Sequence, residues 1–193
     1  MNITDNIITS FIATIVTILV KIWQDRVEEK QQQLAYLQSI LSEVNALISL
    51  LRVRKGEFEL QDRYDVEHYE FVYFPTSYNY FNVYEGMVSK IGIVKNVALR
   101  ENIICSYTDI KGLFENVKDI ENISKMYENL MLTNKDSADK ARMVEIHYLY
   151  CDRTLKMQVP MVQKVLDTLR FELEHEIKKR SKIWNLYVYD CNE

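Results

Sequence analysis

Two basic clusters, at residues 52–55 and 178–182, and a tyrosine-rich stretch at residues 64–84 have the residue types that bind a small anion. Tyrosine offers a rigid face on which a nucleobase can stack, and Lys and Arg pair with phosphate. A nucleotide or a short oligonucleotide would suit such a site. The candidate ligand-binding residues are Arg52, Arg54, Lys55, Tyr73, Tyr78, Tyr80, Lys178, Lys179, Arg180 and Lys182.

Each of these groups also has a structural interpretation. The tyrosines would be explained by rings packed over the open end of a helical bundle, and the cations by complementation of the dipole at helix C-termini. The cluster that ends at Lys182 has a third interpretation. If the last helix packs antiparallel to the first, this cluster approaches the membrane and its anionic lipids.

Patterns of an enzyme active site are missing from the sequence, which has no glycine-rich phosphate loop, HExxH motif or nucleophile elbow. The histidines, His68, His147 and His175, are far apart, and none has a second ligand-type residue at metal spacing that stands out. The three cysteines form no CxxC pair and are expected to be reduced thiols. We therefore predict a non-enzymatic protein with no catalytic residue, metal ion or cofactor.

The N-terminal segment predicts a helix that crosses a membrane. Residues 6–20 carry no charge, and extension to Trp23 gives a helix of about 27 Å, close to the roughly 30 Å of a bilayer core. Lys21 can extend its ammonium group to the lipid headgroups, where Trp23 is also favoured. The alternatives are a buried core helix and a cleaved signal peptide, although no basic residue precedes the segment and no small-x-small cleavage site follows it.

The charges around this segment predict its orientation. Lys21, Arg26 and Lys30 follow the apolar residues, and no Lys or Arg precedes them. By the positive-inside rule, the C-terminal body then lies in the cytoplasm. The expected location is therefore a single pass through the bacterial inner membrane.

Polar and small residues of the segment share one helical face, because they recur at three- and four-residue steps. They are Asn6, Ser10, Ala13, Thr14, Thr17 and Lys21. Such a face lets membrane helices approach closely, which predicts a homo-oligomer, for example a tetramer. Two alternatives remain: the stripe lines a narrow polar path through the assembly, or its hydroxyl groups bond back to their own helix and have no further role.

The rest of the sequence predicts an all-α fold, with a transmembrane segment at residues 1–23 and a cytosolic helical bundle at 24–193. Only 4 glycines and 2 prolines occur, which favours long helices. The first helix is expected to continue past the membrane and to end at Gly56. A wide apolar stripe, typical of a helix inside a bundle, lies on this part. It consists of Leu34, Leu37, Ile40, Leu41, Val44, Leu47, Ile48 and Leu51.

A short aromatic hairpin is expected around residues 57–75, followed by helices at about 78–95 and 98–132. A further helix is expected from about residue 138, with Met143, Ile146, Tyr150 and Leu155 in its apolar pattern. Pro160 is expected to end or kink it, because the ring removes a hydrogen-bond donor and clashes with the preceding turn. The last helix then runs to about residue 186.

The layout resembles a known class of proteins. A short Ser/Thr-striped span, a continuous helix into the cytosol and a compact helical body are similar to the small membrane effectors of bacterial anti-phage signalling systems. The Hailong-type effectors are more similar than the membrane effectors of cyclic-oligonucleotide systems. The resemblance implies a homo-oligomeric channel controlled by a nucleic-acid-like signal from a partner nucleotidyltransferase. It covers the architecture of most of the chain and places no binding residue of the family on this sequence.

Two functions from different classes follow. The first is a ligand-gated, membrane-embedded effector that assembles through the polar stripe and forms an ion channel or pore. The second is a membrane-tethered adaptor that presents the tyrosine-rich residues 64–84 to another protein. A third, an enzyme with an unrecognised fold, has no motif in its favour. The formal net charge of −4 argues against binding of bulk double-stranded nucleic acid.

Overall fold

The computed structural model describes residues 3–63, 79–133 and 138–189, and all secondary structure within these ranges is helical. Three long helices are α1 (Ile3–Arg63), α3 (Val97–Thr133) and α4 (Ala138–Tyr189). Between α1 and α3 lie the short helix α2 (Asn82–Met87) and a 3₁₀ helix (Val88–Ile93). The predicted all-α class is confirmed for these ranges.

Helices α1 and α3 run parallel, because residue numbers increase together at their contacts. Glu29 of α1 is paired with Lys95, just before α3, and Glu43 of α1 accepts a hydrogen bond from Tyr107 of α3. The crossover from α1 to α3 contains α2 and the 3₁₀ helix, which both pack on α1. These short helices therefore cover one side of the contact between the long ones.

Helix α4 runs antiparallel to α1. Gln33 of α1 contacts Arg180 near the end of α4, and Arg52 further along α1 pairs with Asp167. The end of α4 therefore lies beside the part of α1 that follows the apolar segment. This arrangement is the one in which the C-terminal basic cluster was expected to approach a membrane.

A single apolar core lies between α1, α3 and α4. Because α1 contacts both other helices, it buries a stripe wider than the a and d positions of a two-stranded coil. The predicted stripe is confirmed for most of its members, with Leu34 and Leu41 only partly buried. The buried members are Leu37, Ile40, Val44, Leu47, Ile48 and Leu51. We call the chain from Gln33 onward the helical body.

The predicted end of the first helix is wrong, because α1 continues through Gly56 to Arg63. One glycine in a helix interior costs only about 1 kcal/mol relative to alanine, and α1 is already held by buried residues up to Leu51. Residues 57–63 of the expected hairpin are consequently helical. Its remaining residues, 64–75, lie outside the described part of the chain.

The other predicted helices differ in how well they match the structure. Helix α3 confirms the prediction for residues 98–132. The helix expected at 78–95 is instead α2 followed by the 3₁₀ helix, whose last residue is Ile93. Pro160 does not end its helix, since α4 is one helix with Pro160 inside it. Pro160 is exposed, whereas Val159 and Val162 are buried, so packing on both sides holds the helix through the missing hydrogen bond.

The apolar pattern at the start of α4 is mostly not buried. Met143, Ile146 and Tyr150 are exposed, and only Leu155 belongs to the core. Asn116 of α3 bonds Gln158 of α4, so this part of α4 pairs with the C-terminal part of α3. Within the described part of the chain, α1 runs parallel to α3 and ends at Arg63.

Candidate functional site

The first residues of α1 extend away from the helical body. The described side chains of residues 10–26 are all exposed, and Gln33 is the first buried one. We call residues 10–32 the N-terminal arm, which is about 34 Å long at the rise of an α-helix. Among the described residues, α1 is the one helix long and apolar enough to span a membrane. Residues 37–51 of this helix line the core, but residues 10–23 are exposed and do not pack into the core of their own chain, which argues against the core-helix alternative for that segment.

The polar stripe of the arm is partly satisfied within the helix. Thr14 donates its hydroxyl to the carbonyl of Ser10 at 2.9 Å, and Thr17 donates to Ala13 at 2.8 Å. These are the back-bonds expected in one of the three interpretations of the stripe. Each hydroxyl oxygen keeps a lone pair that can accept a further bond from a neighbouring helix. Lys21 is exposed, and the side chain of Asn6 lies outside the described residues.

A buried polar cluster holds the base of the arm against the helical body. Gln33, only 3% exposed, donates its amide to the carbonyl of Ile93 at 2.6 Å and accepts from Arg180. Arg180 also donates from Nε and Nη2 to Glu176, at 2.8 and 2.5 Å. We call Gln33, Ile93, Glu176 and Arg180 the clamp. It connects α1, the 3₁₀ helix and α4 at the point where the arm joins the helical body.

We expect Arg180→Met to lower the free energy of unfolding by about 2 kcal/mol, because Glu176 and Gln33 lose their charged donor while largely buried. The midpoint temperature of thermal unfolding, measured on the full chain in mild detergent, should fall by about 4–8 °C for a protein of this size. Lys179→Met, which removes a neighbouring exposed cation, is the matched control and should change little. Equal shifts in both variants would contradict the role of the clamp.

A second buried polar cluster centres on Glu43, which is 8% exposed. Its carboxylate accepts hydrogen bonds from the backbone N–H groups of Val83 at 2.7 Å and Tyr84 at 3.0 Å, and from the hydroxyl of Tyr107 at 2.6 Å. Phe81, the N-cap residue of α2, makes no side-chain capping bond. A carboxylate from α1 therefore caps α2 and complements its dipole.

Two tyrosines in this cluster are held in the protonated form. Burial raises the pKa of Tyr36 to about 12. Burial raises the pKa of Tyr107 as well, and its hydrogen bond to Glu43 adds to the increase. The Tyr36 hydroxyl is buried and finds no hydrogen-bond partner among the described residues.

Among the described residues, the two predicted basic clusters lie apart in one chain. Arg52 pairs with Asp167 at 3.5 Å, whereas Arg180 lies in the clamp, about 28 Å away along α1 at the helical rise. Tyr80 is half-buried, with its ring 4.9 Å from that of Phe114. Among the other candidates, Lys178, Lys179 and Lys182 are exposed near the clamp. Tyr73, Tyr78 and the side chains of Arg54 and Lys55 lie outside the described residues.

The rings near Tyr80 act in packing. The Phe81 ring contacts Phe114 edge-on at 5.4 Å, and the Tyr84 ring stacks on Tyr107 at 4.0 Å between centroids. Tyr107 and Phe114 lie inside α3, so these rings pack on the side of the long helices and not over an end of them. The described residues of the tyrosine-rich stretch therefore pack against the core of their own chain.

A cavity of about 400 Å³ between α3 and α4 has a volume within the range of small-molecule sites. Its lining includes Asp109, Glu115, Asn116 and Met161 and carries no cation. A phosphate-bearing ligand would meet two carboxylates there. Within the described part of the chain, no group of His, Cys, Asp and Glu is arranged to hold a metal ion.

Sequence reasoning missed Gln33 and Glu43, the centres of the two buried clusters. A signal for Gln33 is present, because it lies seven residues before Ile40 and on the same line of the apolar stripe. A polar residue on a buried stripe needs a partner. Glu43 lies off that stripe, and its partners are 40 or more residues away, so the local pattern carries no signal for it.

No family model, curated protein or solved structure matches this chain. Residue roles therefore cannot be carried over from a relative. The N-terminal arm, the clamp and the Glu43 cluster are the features on which a function can be argued.

Proposed function

We propose that the protein is a non-enzymatic, homo-oligomeric membrane effector that forms an ion channel or pore. The N-terminal arm would cross the bacterial inner membrane, with the helical body as a bundle in the cytoplasm. One observation carries this proposal. Residues 10–23 form a helix whose side chains are all exposed, with large apolar residues on most faces and a polar stripe on one.

Assembly follows from the two kinds of surface on the arm. Phe11, Ile15 and Leu19 are large and apolar and suit contact with lipid. The stripe through Ser10, Thr14 and Thr17 is better satisfied against another helix, where small residues allow close packing and hydroxyl groups can form hydrogen bonds. In a ring of copies, the stripe would face inward, and its hydroxyl oxygens would contact water or ions. A span of about 27 Å is also short for a bilayer, and such a mismatch can be relieved by oligomerisation.

Control of the pore would pass through α1. The arm and the helical body share this uninterrupted helix, and the clamp fixes the body end of the arm. A ligand shifts such an equilibrium only by binding one state more tightly than the other. The signal class in this proposal, a nucleotide or short oligonucleotide from a partner nucleotidyltransferase in anti-phage defence, rests on the resemblance. Because Arg52 and Arg180 are far apart in one chain, we place its site between subunits or between moving helices.

The pore is tested by Thr14→Leu combined with Thr17→Leu. We expect ion flux into vesicles containing the full-length protein to fall to background, because two bulky apolar side chains replace the hydroxyl groups in the middle of the stripe while the helix is retained. The matched control is Ile15→Leu with Ile18→Leu, which changes two exposed apolar residues of the same segment. Unchanged flux in the threonine variant, with the protein folded and in the membrane, would count against the pore.

The alternative function, a membrane-tethered adaptor, is favoured by a different observation. Met143, Ile146, Tyr150 and Met157 are exposed along α4, and a partner protein could cover them. Of the expected surface at residues 64–84, Tyr80, Phe81 and Tyr84 contact the core, and residues 64–78 lie outside the described part of the chain. The back-bonded hydroxyls of Thr14 and Thr17 also suit a helix that serves only as an anchor.

Exchange of the apolar segment separates the two functions. When residues 6–20 are replaced by an unrelated apolar helix of equal length, an adaptor keeps its activity, because its partner surface is untouched. A channel loses its flux, because the new segment lacks the polar stripe. The mass of the particle in mild detergent adds a second criterion, since a closed oligomer is required for the channel only.

A further inference from the structure

The last twelve residues of α4, residues 178–189, combine cations and interfacial aromatics. Their sequence is KKRSKIWNLYVY, with four basic residues and no acidic one in a chain of net charge −4. Trp184, Tyr187 and Tyr189 are of the two residue types that membrane proteins concentrate at the lipid headgroups. The adaptor leaves this composition unused, and the ligand-gated channel uses its cations but not its aromatic residues.

The register of α4 against α1 fixes where this segment lies. Arg180 contacts Gln33, and α4 continues nine residues further to Tyr189. At the helical rise, this is about 14 Å. Because the helices are antiparallel, the same distance along α1 leads from Gln33 back to Gln24, next to Trp23. The end of α4 therefore lies at the level where the apolar part of the arm ends.

The charges at this level favour an anionic surface. Residues 21–32 of α1 carry three basic and three acidic residues and so have no net charge. Arg180 is already paired with Glu176, but Lys178, Lys179 and Lys182 are exposed on the adjoining turns of α4. A basic residue close to an anionic leaflet gains about 1 kcal/mol, and this attraction falls off within a Debye length.

We propose that residues 178–189 of α4 form a second membrane contact, seated on anionic lipid headgroups beside the span. This proposal rests on the proposed membrane location of the N-terminal arm. The three lysines attract the headgroups, and the register of α4 brings its last turns, which contain Trp184, Tyr187 and Tyr189, to the level of that interface. Contact with lipid at both the arm and the end of α4 would couple the clamp between them to the membrane surface.

The two tryptophans of the chain allow each contact to be read separately. Trp184→Phe leaves Trp23 as a reporter of the span, and Trp23→Phe leaves Trp184 as a reporter of the proposed contact. Each full-length variant is reconstituted in phosphatidylcholine vesicles with or without phosphatidylglycerol. Nitroxide lipids labelled on the acyl chain or on the headgroup then quench nearby tryptophan fluorescence.

We expect acyl-chain nitroxide to quench Trp23 in both kinds of vesicle. Headgroup nitroxide should quench Trp184, with a quenching constant about threefold higher when phosphatidylglycerol is present. Lys178→Gln, Lys179→Gln and Lys182→Gln together should remove this increase and leave the quenching of Trp23 unchanged. A control with the same change of charge replaces three exposed lysines elsewhere, Lys118, Lys140 and Lys164, and should retain the increase.

The outcomes separate the two proposals. If Trp23 is not quenched, the span itself is wrong, and the second contact fails with it. If Trp23 is quenched but Trp184 is not, the span stands and the second contact is overturned. Quenching of Trp184 that is indifferent to phosphatidylglycerol, or to the three glutamine substitutions, also overturns the contact with anionic lipid.

Discussion

Replacing Glu43 with alanine is expected to lower the free energy of unfolding by about 4 kcal/mol, the largest effect of any single substitution considered for this protein. Two backbone N–H groups and the Tyr107 hydroxyl would lose their acceptor within the folded structure. Helix α2 would also lose the carboxylate that caps it. Denaturant unfolding of the full chain in mild detergent measures the change.

Two variants separate loss of the acceptor from loss of packing. Glu43→Gln retains the shape and one acceptor oxygen, so it should cost about 1–2 kcal/mol, and Tyr107→Phe, which removes one of the bonds, should cost a similar amount. Glu101→Ala removes an exposed carboxylate of α3 and should have little effect. Hydrogen exchange should accelerate at the amides of Val83 and Tyr84 in Glu43→Ala. Stability within experimental error of Glu101→Ala would refute the role assigned to Glu43.

Stability is expected to fall steeply above pH 10. An unfolded tyrosine ionises near pH 10, whereas burial raises the pKa of Tyr36 to about 12 and also raises that of Tyr107. Between pH 10 and 12 the unfolded chain therefore releases protons that the folded chain retains, and the equilibrium shifts toward unfolding. The contribution of the two protonated tyrosines to stability is fully present at neutral pH and is lost as the pH rises through their raised pKa values. By pH 12, Tyr36 alone should account for a loss of about 2 kcal/mol.

Tyr36→Phe isolates this contribution from the other groups that ionise at high pH. The variant should show a shallower decline from pH 10 to 12. At neutral pH it should be more stable by about 1 kcal/mol, because it removes a buried hydroxyl without a partner among the described residues. Tyr150→Phe, at an exposed tyrosine, should reproduce the profile of the natural sequence. Parallel profiles for Tyr36→Phe and the natural sequence would contradict the proposed titration.

Periodicity predicted the long helices and most of the core correctly. Ile103, Tyr107, Ile110 and Val117 follow the helical repeat of α3, and all are buried. Their spacing is local information, because a helix repeats every 3.6 residues regardless of its partners. The apolar segment of the arm could also be predicted locally, because a run of uncharged residues is visible in the sequence without knowledge of the fold.

Helix ends predicted from helix-breaking residues were wrong. Gly56 was expected to end its helix and Pro160 to end or kink its own, yet neither helix ends there. The local cost is about 1 kcal/mol for a glycine and about 3 kcal/mol for a proline in a helix interior. Buried neighbours, such as Val159 and Val162 around Pro160, offset this cost through packing that a local pattern does not reveal.

The sequence by itself determined the helical class, the apolar run with its polar stripe, and the stripe that α1 buries. Tertiary structure alone decided which polar groups became partners: Glu43 with α2 and Tyr107, and Gln33 with Arg180 from the opposite end of the chain. It also left Met143 and Ile146 exposed, although their spacing suits a core. The physical reason is one of range. Helix formation depends on residues a few positions apart, whereas burial and hydrogen bonding depend on the register between helices that are far apart in the chain.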